Sequence, residues 1–122
     1  MTLPRSQSVL VIEDDADVRE FLRLALADAG YAVVTASDGL RGLQRIEVER
    51  PDAIVLDLRL PGVSGFDVLA ELQNDPRAAA TPVVIVTATR ANPSAANVTS
   101  VLRKPVTAEQ LVSAVAVGLA TE

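Results

Sequence analysis

The sequence predicts an α/β protein in which one parallel sheet carries helices on both faces. Short apolar runs without alternation, typical of strands buried on both faces, recur along the chain. Segments with helical periodicity or helix caps separate these runs. Strands that alternate with helices favour parallel pairing and right-handed crossovers. With 122 residues, the chain is long enough for one domain but not for two.

The composition narrows the possible chemistry. Hydrophobic residues make up 49% and aromatic residues 2%, so we expect a core of Val, Leu, Ile and Ala. A net charge of −5 argues against direct nucleic-acid binding, which needs clustered Lys and Arg. The absence of Cys and His excludes disulfides, thiolate metal sites, Cys nucleophiles and imidazole catalysis. No signal peptide or membrane span is recognisable, so the expectation is a cytoplasmic domain without membrane contact.

Five segments of the chain are predicted to form the strands. The first, third and fourth are continuous apolar runs, and the first and third run directly into acidic residues. The fifth strand is expected to be brief, because only two apolar residues precede its basic end. The predicted strands lie at 8–12, 31–36, 53–56, 83–86 and 101–103.

The first two helices are predicted from apolar periodicity and from their end residues. From Val18, apolar residues recur at i, i+3, i+4, i+7, i+8 and i+11, and Gly30 suits the C-terminal end. Ser37 or Asp38 can cap the second helix. The side chains expected in the core are Val18, Phe21, Leu22, Ala25, Leu26, Ala29, Leu40, Leu43, Ile46 and Phe66.

The second half of the chain predicts two further clear helices. One is expected over 66–73. For the last helix, Thr107 and Gln110 have the spacing of a capping box. Between the fourth and fifth strands, segment 89–100 is polar and contains Pro93, so any helix there is expected to be short.

Asp57 is the first candidate for chemistry, because it directly follows a strand predicted to be buried on both faces. The carboxyl ends of such strands face the crevice where open α/β sheets bind ligands. A turn with two glycines and a proline follows, and aspartate often caps such turns. Taken alone, Asp57 fits a reactive group and a turn cap equally well.

Residues just past the other strands supply partners for Asp57. Glu13 and Asp14 follow the first strand, Thr87 the fourth and Lys104 the fifth, so all are expected at one sheet edge. Three adjacent carboxylates repel unless a cation offsets their charge, and Mg²⁺ is the usual cation where phosphate is handled. Without Cys or His, the candidate nucleophile is a carboxylate, which can hold a phosphoryl group as an acyl phosphate.

Four pieces of sequence, in this order and at this spacing, resemble the receiver domain of two-component response regulators. They are the acidic pair in VLVIEDD, the block DLRLPGVSG around Asp57, the VTA triplet at 86–88, and Lys104-Pro105. The similarity covers about residues 8–120 and implies a single receiver domain over 1–122. It implies a flavodoxin-like, doubly wound five-stranded sheet of strand order 2-1-3-4-5. It also makes Lys104-Pro105 a candidate cis peptide.

The resemblance implies a function and a set of metal ligands. Asp57 is the expected phosphoacceptor, which takes a phosphoryl group from a sensor histidine kinase or a phosphotransfer protein. Asp14 and Asp57 are expected to bind Mg²⁺ together with the backbone carbonyl of Arg59, while Glu13 acts mostly through water. Phosphorylation is expected to change protein–protein contacts. Catalysis is limited to the domain's own phosphorylation and dephosphorylation, so the domain is not expected to be an enzyme acting on other substrates.

The resemblance also implies a switch, and here the sequence departs from the family. Lys104 is expected to pair with Asp57 or the phosphoryl group, and Thr87 to move toward a phosphoryl oxygen. The family usually has an aromatic residue three positions before the lysine, and this chain has Val101. Segment 89–100 is several residues shorter than is usual in the family, so its fourth helix is expected to be one or two turns long.

The last helix of the pattern, the family's fifth, suggests a contact surface. From Leu111 to Ala120 only Ser113 is polar, so the helix is apolar on all sides. Such a helix is either buried further or meets a partner. We expect its surface to bind a downstream protein or a second copy of the chain.

Three alternative functions compete with the phosphorylated switch. A receiver-like interaction module that works without phosphate is favoured by Val101 and disfavoured by the intact acidic, hydroxyl and lysine set. A Mg²⁺ phosphatase of the haloacid dehalogenase-like group needs a second aspartate two residues after the nucleophile, where this chain has Arg59. A flavin domain needs a phosphate-cradling loop after the first strand, where the acids at 13–15 repel phosphate.

Overall fold

The computed structural model describes residues 6–120. The predicted domain limits at 1 and 122 lie outside the described residues. All five predicted strands are present, and four of the predicted helices form. In chain order the elements are β1 (Ser8–Ile12), α1 (Ala16–Asp28), β2 (Ala32–Ala36), α2 (Gly39–Glu49), β3 (Ala53–Leu56), α3 (Gly65–Asn74), β4 (Val83–Thr87), β5 (Val98–Arg103) and α4 (Ala108–Ala120).

The strands form one parallel sheet of order β2-β1-β3-β4-β5, which confirms the predicted fold class and strand order. Helices α1 and α4 pack side by side on one face, and α2 and α3 on the other. Alternate residues of the central strands serve the two faces: Val9 and Val55 point toward α1 and α4, Leu10 and Ile54 toward α2 and α3. No helix within residues 6–120 is long and apolar enough to cross a bilayer.

The predicted helix ends are confirmed by hydrogen bonds and backbone angles. The side chain of Asp15 accepts from two N–H groups in the first turn of α1, and the side chain of Asp38 caps α2 by accepting from the N–H of Arg41. Thr107 and Gln110 exchange reciprocal side-chain-to-backbone bonds at the start of α4. Gly30 has φ +100° just past α1, a conformation that suits glycine at a helix end.

Some of the predicted core side chains are exposed instead. Phe21, Leu40 and Phe66 expose 43%, 56% and 48% of their surface, and Ala29 is an exposed C-cap residue. The sheet covers a narrower stripe of each helix than the apolar periodicity suggests. Phe21 and Leu40 therefore lie at the borders of the packed stripe.

The short helix predicted between β4 and β5 is absent. Residues 88–97, here called the strap, run irregularly between the two strands. Arg103 Nη2 donates to the carbonyls of Arg90 and Ala91 and to the side chain of Asn92, so those carbonyls are not taken by helical N–H groups. Pro93 has no N–H and disfavours a helical conformation of the preceding residue. These contacts hold the strap in a non-helical path.

The far end of the strap is held by Asn97, which lets β5 begin three residues earlier than predicted. Asn97 is 5% exposed, and its side chain bonds to Gln73 and to the carbonyl of Thr81. Its own carbonyl accepts from Val83 N–H at 2.8 Å, and pairing with β4 starts at Val98. The register of β4 and β5 shifts directly after this first pair. The residues at the shift are polar, so the apolar pattern did not predict this part of the strand.

Candidate functional site

The site lies at the carboxyl edge of the sheet, where hydrogen bonds at the strand ends place its residues. Asp57 N–H donates to the carbonyl of Ile12 at 3.1 Å, and Lys104 N–H donates to the carbonyl of Thr87 at 2.9 Å. Glu13 N–H bonds in the same way to the end of β2. Each residue thus extends the sheet by one step, which fixes where its side chain begins.

Three carboxylates meet at this edge, as predicted. Glu13, Asp14 and Asp57 each offer an oxygen, and these oxygens lie within 4.8 Å of one another. Glu13 is 1% exposed and Asp57 5% exposed, whereas Asp14 is exposed. The cluster therefore has a buried floor of two acids and an open side formed by the third.

Lys104 bridges the two buried acids. Its Nζ lies 2.6 Å from Glu13 Oε1 and 3.1 Å from Asp57 Oδ2. Burial raises the pKa of Glu13 to about 7, against the lowering effect of its hydrogen bonds from Lys104 and Asp15. Burial alone lowers the pKa of Lys104, but its bonds to the two carboxylates outweigh burial and raise the pKa. The cluster contains three acidic groups and only one ammonium, which contacts two of them. The cluster therefore suits a further cation.

The chemistry of the donor set fits Mg²⁺, which prefers carboxylate, carbonyl and water oxygens. Among residues 6–120, no hydrogen bond or ion pair occupies the carboxylate of Asp14, so its oxygens are available. The N–H of Arg59 donates to Asp57 Oδ1 at 3.1 Å and orients that carboxylate. Asp14, Asp57 and Glu13 are the residues that could hold the ion.

The first turn of α3 packs against the backbone that carries Asp57. Gly65 N–H donates to the carbonyl of Leu58, and a Cβ at position 65 would lie 2.3 Å from the carbonyl oxygen of Asp57. Ser64 and Asp67 form a capping box that fixes the first turn of α3. Position 65, the second glycine of the GVSG turn, therefore has to be glycine, because its backbone lies so close to the carbonyl of Asp57.

The hydroxyl of Thr87 bonds into the strap. Thr87 is fully buried and donates to Thr89 Oγ1 at 3.2 Å, while Thr89 N–H donates back to Thr87 Oγ1 at 3.2 Å. Ala91 N–H then donates to Thr89 Oγ1 at 3.4 Å. No hydrogen bond joins Thr87 to Asp57 in the part of the chain that the structure describes. Val101 is partly buried against the α2 and α3 side of the core.

One residue at the site was not predicted from the sequence. Arg19 Nη1 donates to the carbonyl of Glu13 at 3.0 Å and to that of Asp14 at 3.3 Å. The guanidinium thereby holds the loop that carries both acids. An arginine in an amphipathic helix is usually a solvated charge, and no motif marks this one as different.

Comparison with known proteins places the chain among signalling domains. The family described as response regulator receiver domain matches residues 9–116. Transcriptional regulatory protein AfsQ1 of Streptomyces coelicolor is 42% identical over 81 residues, which cover 66% of this chain and 35% of that protein. DNA-binding response regulator MtrA of Mycobacterium leprae is 38% identical over 82 residues, which cover 67% of this chain and 35% of that protein. The chain thus spans about a third of the length of these relatives.

Solved structures agree with this placement. Chemotaxis response regulator CheY4 of Vibrio cholerae superposes with a TM-score of 0.86 at 27% identity, covering 93% of this chain and 99% of that one. A response regulator receiver domain protein from Clostridium thermocellum superposes with a TM-score of 0.84 at 27% identity, covering 94% and 95% of the two chains.

Proposed function

The chain belongs to the response regulator receiver domain family, and from this premise we propose that it is a signalling switch phosphorylated on Asp57. The observation that carries the proposal is the bridge of Lys104 Nζ to two buried carboxylates, Glu13 and Asp57, beside the open carboxylate of Asp14. A structural turn cap does not need this arrangement. A phosphoacceptor does, because negative charge accumulates on it during transfer.

The proposed reaction forms a bond between a carboxylate oxygen of Asp57 and phosphorus, and breaks the bond between phosphorus and the donor. The donor is a sensor histidine kinase or a phosphotransfer protein. Bound Mg²⁺ would supply positive charge next to the transferred oxygens, held by Asp14, Asp57, the carbonyl of Arg59 and, through water, Glu13. Lys104 stays within reach of the phosphoryl group and offsets the charge that Asp57 gains.

The proposed output passes from Thr87 to the strap. To reach a phosphoryl oxygen, the Thr87 hydroxyl must give up its bond to Thr89 Oγ1. Thr89 also accepts from Ala91 N–H, so the change would reach the part of the strap that Arg103 holds. In this proposal Thr87 and the strap replace the aromatic switch that Val101 cannot provide.

The proposed contacts of this switch are with proteins rather than with nucleic acid or membranes. The surface of α4, the family's fifth helix, is one contact site, for a downstream protein or for self-association. Its exposed side includes Val117, with 54% of its surface open, and Ala116. Val112 and Leu119 pack partly against the core. A single receiver domain over about residues 8–120 and a cytoplasmic location complete the proposal.

A receiver-like module that works without phosphate remains the second candidate. Two observations favour it: Val101 stands in the aromatic position, and the strap has no helix to reposition. In that case Lys104 and the acids would be a stable ion-pair cluster, and the strap would bind its partner in one fixed form.

Treatment with acetyl phosphate and Mg²⁺ distinguishes the two candidates. Wild-type protein is expected to take up phosphate only when Mg²⁺ is present, and Asp57→Asn is expected to take up none. Arg59→Gln is the control, because its side chain is exposed and only its backbone carbonyl is proposed as a ligand. No uptake by wild type, or equal uptake by Asp57→Asn, would contradict the proposal.

A further inference from the structure

A cavity of about 600 Å³ opens between α1, the end of β2 and α2. Its polar lining consists of Arg19, Arg41, Arg45, Thr35, Ser37 and Gln44, and it is here called the arginine cavity. We propose that the arginine cavity binds a phosphate-bearing small molecule of about nucleotide size. This site is separate from the acidic cluster and from the proposed phosphorylation of Asp57.

The distribution of charge around the arginine cavity favours an anionic ligand. The chain carries 16 acidic and 11 basic residues, so a random patch of its surface should contain more carboxylates than cations. The arginine cavity has the opposite composition, with three guanidinium groups and no carboxylate in its lining. Such an excess of positive charge in the lining of a concave surface attracts anions, although Asp38 and Glu49 lie beside two of the arginines.

Arg19 is partly buried and has no carboxylate within salt-bridge distance in the part of the chain that the structure describes. Its Nη1 bonds to the backbone carbonyls of Glu13 and Asp14. These are neutral acceptors, and the other N–H donors of the guanidinium make no bond within residues 6–120. A guanidinium anchored in this way, with free donors at the border of a cavity, favours an anionic ligand.

The other two arginines, Arg41 and Arg45, form only weak ion pairs. Arg41 Nε lies 3.7 Å from Asp38, and Arg45 Nη1 lies 3.3 Å from Glu49. Both pairs are solvent-exposed, and exposed pairs of this kind contribute little free energy. Each guanidinium can therefore turn its remaining donors toward a ligand. Arg41 Nη1 already reaches Ser37 Oγ at 3.4 Å, which lines the same cavity.

The size and donor chemistry of the cavity point to the class of ligand. Its volume falls within the range of about 300–1,000 Å³ that is typical of small-molecule sites. Guanidinium groups match the geometry of phosphate with paired N–H bonds. Thr35, Ser37 and Gln44 add hydroxyl and amide groups that suit further phosphate or sugar oxygens. A nucleic acid is a poorer fit, because the rest of the surface is acidic.

Titration calorimetry with inorganic pyrophosphate and with ADP, at low ionic strength and with EDTA present, tests the proposal. EDTA removes divalent cations, so that neither ligand is drawn to the acidic cluster. Wild type is expected to bind at least one of the two ligands. Arg41→Gln combined with Arg45→Gln is expected to weaken binding by about tenfold or more, since charge-assisted bonds are lost.

The matched control is Arg23→Gln combined with Arg77→Gln. Both arginines are exposed and ion-paired, as Arg41 and Arg45 are, but neither lines the cavity. The control removes the same charge and is expected to change affinity by about twofold or less. Urea unfolding checks that both double variants fold, and amide chemical shifts locate the ligand at Thr35, Ser37 and Gln44. Binding of ADP alone identifies the ligand as a nucleotide, and equal binding of pyrophosphate identifies the phosphates as the determinant; both support the site.

Four outcomes would overturn the proposal. One is no binding of either ligand at millimolar concentration. Another is equal weakening by the two double variants, which would mean nonspecific attraction. A third is a set of shifts centred on Asp57 rather than on the cavity. The last is tighter binding of polyglutamate than of either phosphate ligand, which would make the cavity a peptide contact. None of these outcomes bears on phosphate uptake by Asp57.

Discussion

At the scale of single residues, the site depends on how one ammonium is shared. Glu13 and Asp57 are almost fully buried, and within residues 6–120 Lys104 is the only cation that contacts their carboxylates. Taking carboxylates out of water is unfavourable unless a partner of opposite charge stays close. Lys104 therefore stabilises the unphosphorylated site, and a divalent cation can take over part of that role.

Replacing Lys104 by Gln tests this dependence on charge. The substitution leaves the carboxylates of Glu13 and Asp57 without a cation, so we expect the free energy of unfolding to fall by about 1–3 kcal/mol in EDTA. This loss is smaller than for a fully buried ion pair, because Lys104 is partly exposed. Millimolar Mg²⁺ is expected to restore most of the loss. Urea unfolding with and without Mg²⁺ measures both values, and Arg59→Gln is the charge-matched control. An equal loss under both conditions would show that Lys104 acts through packing alone.

Gly65 provides a steric test of the same site. An alanine Cβ at this position would overlap the carbonyl oxygen of Asp57, so we expect a loss of about 1–3 kcal/mol and slower phosphate uptake. Gly30→Ala is the control: it strains the backbone at φ +100° but meets no atom within 4 Å and lies far from the site. If Gly65→Ala takes up phosphate at the wild-type rate, the close packing of α3 under Asp57 does not position that residue.

At the scale of elements, the strap is where this domain departs from a regular alternation of strands and helices. The strands and the site were predictable because strand ends converge: β1, β3 and β4 are continuous apolar runs, and the residues after them can meet only at one edge. The strap was not predictable in the same way. Its path depends on Arg103 and on the Gln73–Asn97 bond, which join residues far apart in the sequence.

Dependence on contacts between distant parts of the chain also explains why the two phenylalanines were wrongly predicted to be buried. Periodicity identifies the apolar stripe of a helix, but how much of the stripe is covered depends on neighbouring elements. Phe21 and Phe66 remain 43% and 48% exposed. For Arg19 the sequence analysis missed a contact. The bonds of Arg19 to the loop that carries Glu13 and Asp14 form only once α1 and β1 are in place.

Hydrogen exchange tests the proposed route from Thr87 to the strap. Acetyl phosphate with Mg²⁺ is expected to speed amide exchange of Thr89 and Ala91 in wild type, because their bonds to the two threonine hydroxyls are lost. Thr89→Ala is expected to give fast exchange at Ala91 without phosphate. Thr107→Ala, which removes a threonine hydroxyl outside the strap, at the start of α4, is the control. Unchanged exchange at both amides after phosphorylation would exclude the strap from the output.

At the scale of the whole molecule, the exposed apolar residues show where a partner can bind. Beyond the two phenylalanines, large apolar side chains that are more than 40% exposed include Leu24, Leu40, Val48 and Val117. These four residues are spread over α1, α2 and α4, and single exposed apolar residues are common on monomers. Only Val117 lies on α4, so any self-association through this helix must place Val117 in the contact.

Val117→Glu tests this contact in phosphorylated protein. If α4 mediates self-association, the variant is expected to weaken it by about tenfold or more, because a charge is placed in an apolar interface. Val48→Glu is the matched control, since Val48 is 77% exposed on α2. Analytical ultracentrifugation over a range of concentrations measures both. A wild type that stays monomeric throughout would assign the α4 surface to a different protein or to solvent.

The central claim is that Asp57, and no neighbouring carboxylate, accepts the phosphoryl group. Tandem mass spectrometry of protein treated with acetyl phosphate and Mg²⁺, after reductive trapping of the acyl phosphate, tests it most directly. We expect a modification at Asp57 alone, and none when Mg²⁺ is chelated before the treatment. A modification at Asp14 or Glu13, or none at any of the three acids, would contradict it.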